Sequence, residues 1–201
     1  MKKNLLLTFL VMAFALYANA QKIVISQGKL TDLVGQTKMN LQYDFSSFGV
    51  GSYATEQAYV DYKKGEYAKS DPKKADDFEA GWKAAREKYY QPKFEEQINK
   101  YDGGKLAVFP NTTDAKYTLI LKTTFIEPGF NVGVMKKPAY VNVEYSIVET
   151  ANPSNIIFKA AQSKIPGSQF GGYDFDASTR IAESYAKAGK MFGALMAKTL
   201  K

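Results

Sequence analysis

The sequence predicts an α+β domain: a mainly antiparallel sheet with helices packed on one face and a long helix at the C-terminus. Three observations carry this. Alternating apolar residues mark an early strand and then three successive runs between residues 117 and 165. Apolar spacings of three and four mark helices over 55–101, and again from about 178 to 200. No internal repeat or linker divides the 201 residues, a length sufficient to bury one core.

The chain opens with Lys2 and Lys3, an apolar run from Leu5 to Leu16, and Ala18-Asn19-Ala20, small residues at both positions that a signal peptidase reads. This predicts a secretory leader at 1–20, cleaved after Ala20, and a single domain over 21–201. The run is shorter than the roughly 20 apolar residues of a membrane span, and no cysteine follows to carry a lipid. A periplasmic or secreted protein is the expectation.

Within the domain, Lys22 to Ser26 reads as a short strand. Met39, Leu41, Tyr43 and Phe45 then alternate with Asn40, Gln42 and Asp44, the two-residue period of a half-buried strand. Asp71-Pro72 is a helix start, with Asp as the cap and Pro in the first turn. Ala75, Phe78, Trp82, Ala85 and Tyr89 follow on one face and turn the sole tryptophan inward. Pro92 is expected to break or kink this helix. Residues 61–100 hold ten basic and nine acidic side chains, a solvated helical surface and not a basic patch.

Further on, Tyr117, Leu119, Leu121, Thr123 and Phe125 share one strand face, and Ala139, Val141, Val143, Tyr145 and Ile147 share another. Asn152-Pro153-Ser154-Asn155 reads as a turn before a third strand, Ile156 to Ile165, and the three strands form an antiparallel meander with one polar face. In the last helix Ile181, Tyr185, Ala188, Phe192, Leu195 and Thr199 make the buried stripe, opposite Lys187, Lys190 and Lys198. That charged face excludes a membrane span. Gly189 and Gly193, four apart, are expected to allow close approach to the sheet.

Cysteine and histidine are both absent, and the formal charge is +7. Disulfides, thiol nucleophiles, His/Cys zinc sites and serine–histidine triads are therefore excluded. No metal site, catalytic set or cofactor is assigned. Asp174, Asp176 and Ser178 imitate the start of a calcium loop, but Thr179 and Tyr185 stand where glycine and glutamate belong; Asp176 or Ser178 is read as the cap of the last helix. Glu127 and Glu144 keep a carboxylate-dependent hydrolase as the least favoured reading. Export makes nucleic acid an unexpected partner for the basic surface, leaving at most weak contact with anionic envelope components.

Three loops combine glycines with aromatics. These are Phe48-Gly49-Val50-Gly51-Ser52-Tyr53, then Pro128-Gly129-Phe130-Asn131-Val132-Gly133, then Phe170-Gly171-Gly172-Tyr173-Asp174-Phe175. Glycines permit unusual backbone angles and rings offer rigid contact area. Phe48, Tyr53, Phe130, Asn131, Phe170, Tyr173 and Phe175 are accordingly the candidate ligand- or partner-binding residues. The competing reading is that these rings brace the core edge.

Ala115-Lys-Tyr-Thr-Leu-Ile-Leu, Val141-Asn-Val-Glu-Tyr-Ser-Ile-Val-Glu-Thr and Asn155-Ile-Ile-Phe-Lys, with the terminal helix behind them, resemble the strand–strand–strand–helix half of small bacterial envelope modules. Such modules include the curli-secretion lipoprotein, the outer-membrane activators of penicillin-binding proteins and the amino-terminal domain of the Tol-system propeller protein. As a whole the chain is similar to uncharacterised exported proteins of Gram-negative bacteria, grouped as domains of unknown function. The resemblance implies helices on one face of a mainly antiparallel sheet, used for contact with another envelope protein. The sequence thus points to a non-enzymatic envelope interaction module, with a small-ligand or glycan binder as the alternative.

Overall fold

The computed structural model describes residues 21–131, 135–167 and 176–200. The leader expected at 1–20, Val132 and Gly133 of the second loop, and the whole third loop with Phe170, Tyr173 and Phe175 lie outside the described residues. The rest forms an α+β domain around one sheet in the order β1 (Ile23–Gly28), β9 (Asn152–Pro166), β8 (Tyr140–Glu149), β5 (Tyr117–Glu127), β2 (Lys38–Asp44), β4 (Ala107–Pro110).

The meander is the frame. Strands β5 (Tyr117–Glu127), β8 (Tyr140–Glu149) and β9 (Asn152–Pro166) pair antiparallel, and β1 (Ile23–Gly28) joins the outer edge of β9. On the other side β2 (Lys38–Asp44) runs parallel to both β5 and β4 (Ala107–Pro110). The parallel β2–β4 pair follows from what separates them: a whole helical region, the crossover that parallel neighbours require. Short β3 (Gly49–Val50) lies parallel to the far end of β5.

The helical region comprises α1 (Glu56–Ala68), α2 (Pro72–Ala85), a π turn at Arg86–Tyr90, and α3 (Gln91–Tyr101). Asp71 caps α2 by accepting from the Lys74 amide at 3.2 Å, with Pro72 in the first turn. The helix is interrupted ahead of Pro92, as expected, by the π turn between α2 and α3. The π turn ends just before the proline, so the ring falls in the first turn of α3, where a missing N–H costs least. Helix α4 (Ala177–Thr199) closes the described fold, capped by Asp176, which accepts from the Ser178 amide at 2.9 Å.

Helices α3 and α4 cover one face of the sheet. Val141, Val143, Tyr145 and Ile147 of β8 are buried under them with Leu119 and Leu121 of β5 and Phe158 of β9. Phe192 of α4 stacks on Tyr145 with centroids 4.4 Å apart, and the Tyr145 hydroxyl donates to Gln162 Oε1 at 2.7 Å. Two turns earlier on the same helix, Tyr185 meets the Thr123 hydroxyl at 2.6 Å and stacks on Tyr90 at 5.1 Å. These phenols are buried, which raises their pKa values and keeps them neutral donors. The opposite sheet face carries Lys122 and Glu144, paired cross-strand, and among the described residues no helix covers it.

Three sequence expectations are corrected by local geometry. On β5, Thr123 pairs with Val143 but Phe125 with Asn142, so Thr124 bulges and the alternation changes phase. Ile126, not Phe125, then turns into the core, while Phe125 stacks on Tyr140. Asn152 to Asn155 is not the turn. The chain reverses at Thr150-Ala151, and Pro153-Ser154-Asn155 bulge between the Glu149–Asn152 and Val148–Ile156 pairs, a place where proline's missing donor is tolerated. Finally, Gly189 and Gly193 do not approach the sheet. A Cβ on either would lie under 3.0 Å from the Phe94 or Ile98 carbonyl oxygen, so the close approach is between the α4 and α3 backbones.

No described helix is long and apolar enough to cross a membrane.

Candidate functional site

The described anchors of all three aromatic–glycine loops lie at one end of the sheet. Glu127 at the end of β5 pairs with Tyr140 at the start of β8, which pairs with Pro166 at the end of β9. Beside them β3 registers Gly49 with Phe125 and Val50 with Ile126, and the Gly51 amide donates to the Ile126 carbonyl at 2.9 Å. Gly167, at the exit of β9, donates to the Ala139 carbonyl at 2.9 Å. Arg180, one turn into α4, draws the ends together by donating to the carbonyls of Pro128 and Gly129 at 3.2–3.3 Å. Gly129 must be glycine: its φ is +61°, and a Cβ would meet the Pro138 and Ala139 backbone.

The candidate rings fare differently. Phe48 is only 5% exposed and lies beneath the rim, edge-on to Phe45 at 6.3 Å. The Arg86 guanidinium sits over both rings, at 4.7 and 5.5 Å. Tyr53 is half-buried and packs on Tyr59 and Tyr62 of α1 at 5.9 and 5.3 Å. Phe130 is 42% exposed on the short β6 (Phe130–Asn131), which pairs with β7 (Lys136–Lys137) and carries half-buried Asn131 alongside it. Phe48 and Tyr53 therefore brace, and Phe130 presents surface. Phe170, Tyr173 and Phe175 lie outside the described residues.

The two glutamates of the hydrolase reading are kept apart in role. Glu127 is buried, accepting from the Gly129 amide at 3.1 Å and from Lys137 at 2.6 Å. Glu144 is exposed, opposite Lys122. Asp176 is engaged as a helix cap.

Next to this end the α1–α2 hairpin leans over the sheet and leaves a groove of about 570 Å³. One wall is helical, with Tyr59, Lys63 and Tyr67 from α1 and Phe78, Gly81 and Trp82 from α2; Lys88 and Tyr89 of the π turn extend it. The other wall is Pro128-Gly129 and the first turn of α4. The balanced charges over 61–100 predict a solvated surface outside the inward Trp82 stripe, and part of that surface lines the groove. Tyrosines interleaved with those charges, and a mid-helix glycine at 81, were the available signals.

The hairpin is held by Glu56, which accepts from the Trp82 indole N–H at 2.6 Å and from Arg86. Trp82, 6% exposed, packs on Tyr59 at 5.0 Å and Phe78 at 6.2 Å. Glu56→Ala strands the indole donor and the guanidinium together. It is expected to cost about 2 kcal/mol and to change Trp82 emission before global unfolding; unchanged emission and stability would show the node to be inert. On the outer side of the hairpin, Glu79 accepts from Lys64 and Lys83 at 2.9 and 2.7 Å, and these bonds lower its carboxyl from 4.5 to about 2. The folded value is the depressed one. This stabilisation is therefore complete above about pH 4.5 and lost as pH falls through about 2. Glu79→Gln is expected to lower the Tm at neutral pH and to match the parent protein below about pH 2; a gap constant across that range would contradict the assignment.

Tyr59, facing the groove, has its phenol raised to about 12 by burial first, then by Tyr67 and Glu127 nearby. It remains a hydrogen-bond donor at ordinary pH. The fold and this end of it define an α+β domain with a braced loop rim beside an aromatic, cation-bearing groove.

No family model matches the chain, and no curated protein matches it. Among solved structures it is similar to a PelC dodecamer from Paraburkholderia phytofirmans, at 11% identity and a TM-score of 0.39, covering 83% of this chain and 97% of that one. A singly substituted PelC dodecamer from the same organism aligns at 12% identity and a TM-score of 0.38, covering 83% and 96%.

Proposed function

We propose that this is an exported, non-enzymatic module of the bacterial envelope that docks another envelope protein through the loop end of its sheet. The observation that carries the reading is the placement of a braced rim and an open groove side by side at that end. The leader-like segment at 1–20 supports export into the periplasm or beyond, and the missing cysteine and histidine support binding over catalysis. Crosslinking and pull-down from envelope extract with the mature chain tests it: specific recovery of an envelope protein is expected, and recovery of none, with or without crosslinker, would overturn it.

A second reading, a glycan or small-ligand binder, is favoured by exposed Phe130 on the rim. It requires that Phe130→Ala or Tyr173→Ala abolish binding on a glycan array while the fold persists.

A further inference from the structure

We propose that the groove between the α1–α2 hairpin and the Pro128-Gly129 turn receives a short acidic peptide segment, bearing apolar side chains, of the docked envelope protein. The proposal rests on the protein-docking reading above and names the chemistry of the partner.

Charge is the first argument. Lys63 and Lys88 line the groove and make no ion pair with any described residue; their ammonium groups rest only over the rings of Tyr67 and Tyr89, at 4.7 and 5.1 Å. The two acids on the lining are already engaged, Asp77 with Lys73 and Asp176 as the cap of α4. What the groove leaves unanswered is therefore positive, and its complement is a carboxylate-bearing chain.

The rings are the second argument. A sugar stacks on a free aromatic face, but these rings are largely occupied by one another. Trp82 packs against Tyr59 and Phe78, Tyr67 packs against Phe78 at 5.4 Å, and Lys63 and Lys74 both sit over Tyr67. Apolar side chains can fill the space along their edges, whereas a flat pyranose platform is not on offer. A peptide is favoured over an acidic glycan.

Gly81 supplies the third. It lies mid-helix on α2, lines the groove, and a Cβ there would meet nothing within 4 Å. Internal packing does not demand glycine at this position, and glycine costs about 1 kcal/mol of helix propensity. Its absent side chain keeps the wall open to a closely approaching chain.

The test is selection of a phage-displayed random dodecapeptide library on the immobilised mature protein, followed by fluorescence anisotropy of the enriched peptides. Enriched sequences are expected to be net negative with interspersed Leu, Ile or Phe. Lys63→Glu/Lys88→Glu and, separately, Gly81→Gln should each weaken binding at least tenfold. Gly81→Gln should leave the Tm unchanged or higher, which separates occlusion from misfolding. Enrichment of neutral or basic peptides, affinities indifferent to both variants, or displacement of nothing but an oligogalacturonate probe would overturn the proposal. Repeating the envelope crosslinking with Gly81→Gln distinguishes the two readings: a partner recovered equally by both forms leaves docking intact and removes the groove, whereas no partner for either form removes docking.

Discussion

Replacing Gly189 and Gly193 by alanine is expected to destabilise the domain by about 2–3 kcal/mol for each substitution, and the double variant is expected to populate the unfolded state at modest urea concentrations. In an isolated helix the sign would be opposite, since alanine is favoured over glycine by about 1 kcal/mol. Tertiary contact reverses it. Each new methyl would stand under 3.0 Å from a backbone carbonyl of α3, Phe94 for one and Ile98 for the other. Backbone cannot rotate away as a side chain can, so α4 must lift and every layer it covers must loosen. The two sites share one interface, and their effects will not simply add. Gly81→Ala is the control: with nothing near its Cβ it should stabilise by up to about 1 kcal/mol. Equal effects at all three glycines in urea melts would disprove this account of the α3–α4 contact.

Phe192→Ala carries the second large effect, about 3–5 kcal/mol. Phe192 is buried between the parallel ring of Tyr145 at 4.4 Å and the edge of Phe158 at 6.1 Å. Deleting it opens a void where α4 meets β8 and β9, and strips Tyr145 of its stacked partner while its hydroxyl keeps its contacts with Gln162 at 2.7 Å and the Ala188 carbonyl at 3.5 Å. The near-UV circular dichroism of the stacked pair should collapse along with the stability. Phe192→Leu, which refills most of the volume, should cost less than half as much. If alanine and leucine proved equally mild, the core would have to lie elsewhere in the molecule.

Much of this was legible in residue order. Val141, Val143, Tyr145 and Ile147 alternate because one side of β8 faces helices and the other does not. Ile181, Tyr185, Ala188 and Phe192 recur at helical spacing for the same reason. Asp71 and Asp176 announce helix starts through local hydrogen bonds that need no tertiary partner. Illegible were the places where two distant segments negotiate. The bulge at Thr124 exchanges the roles of Phe125 and Ile126, and it exists only because β8 is opposite. The groove escaped because Tyr59, Lys63, Gly81 and Lys88 sit on two helices and a π turn, each locally an ordinary solvated face.

By itself, then, the sequence determined the α+β class, the order of the main strands and helices, and the exclusion of histidine- and cysteine-based chemistry. All of these depend on period, capping and composition, which are properties of neighbours along the chain. The tertiary structure alone decided that the glycine pair serves helix against helix, that β2 and β4 run parallel to β5, that Phe48 and Tyr53 brace while Phe130 presents surface, and that a charged hairpin forms one wall of a groove. These depend on which surfaces meet across long chain separations, where burial and sterics act and local pattern carries no information.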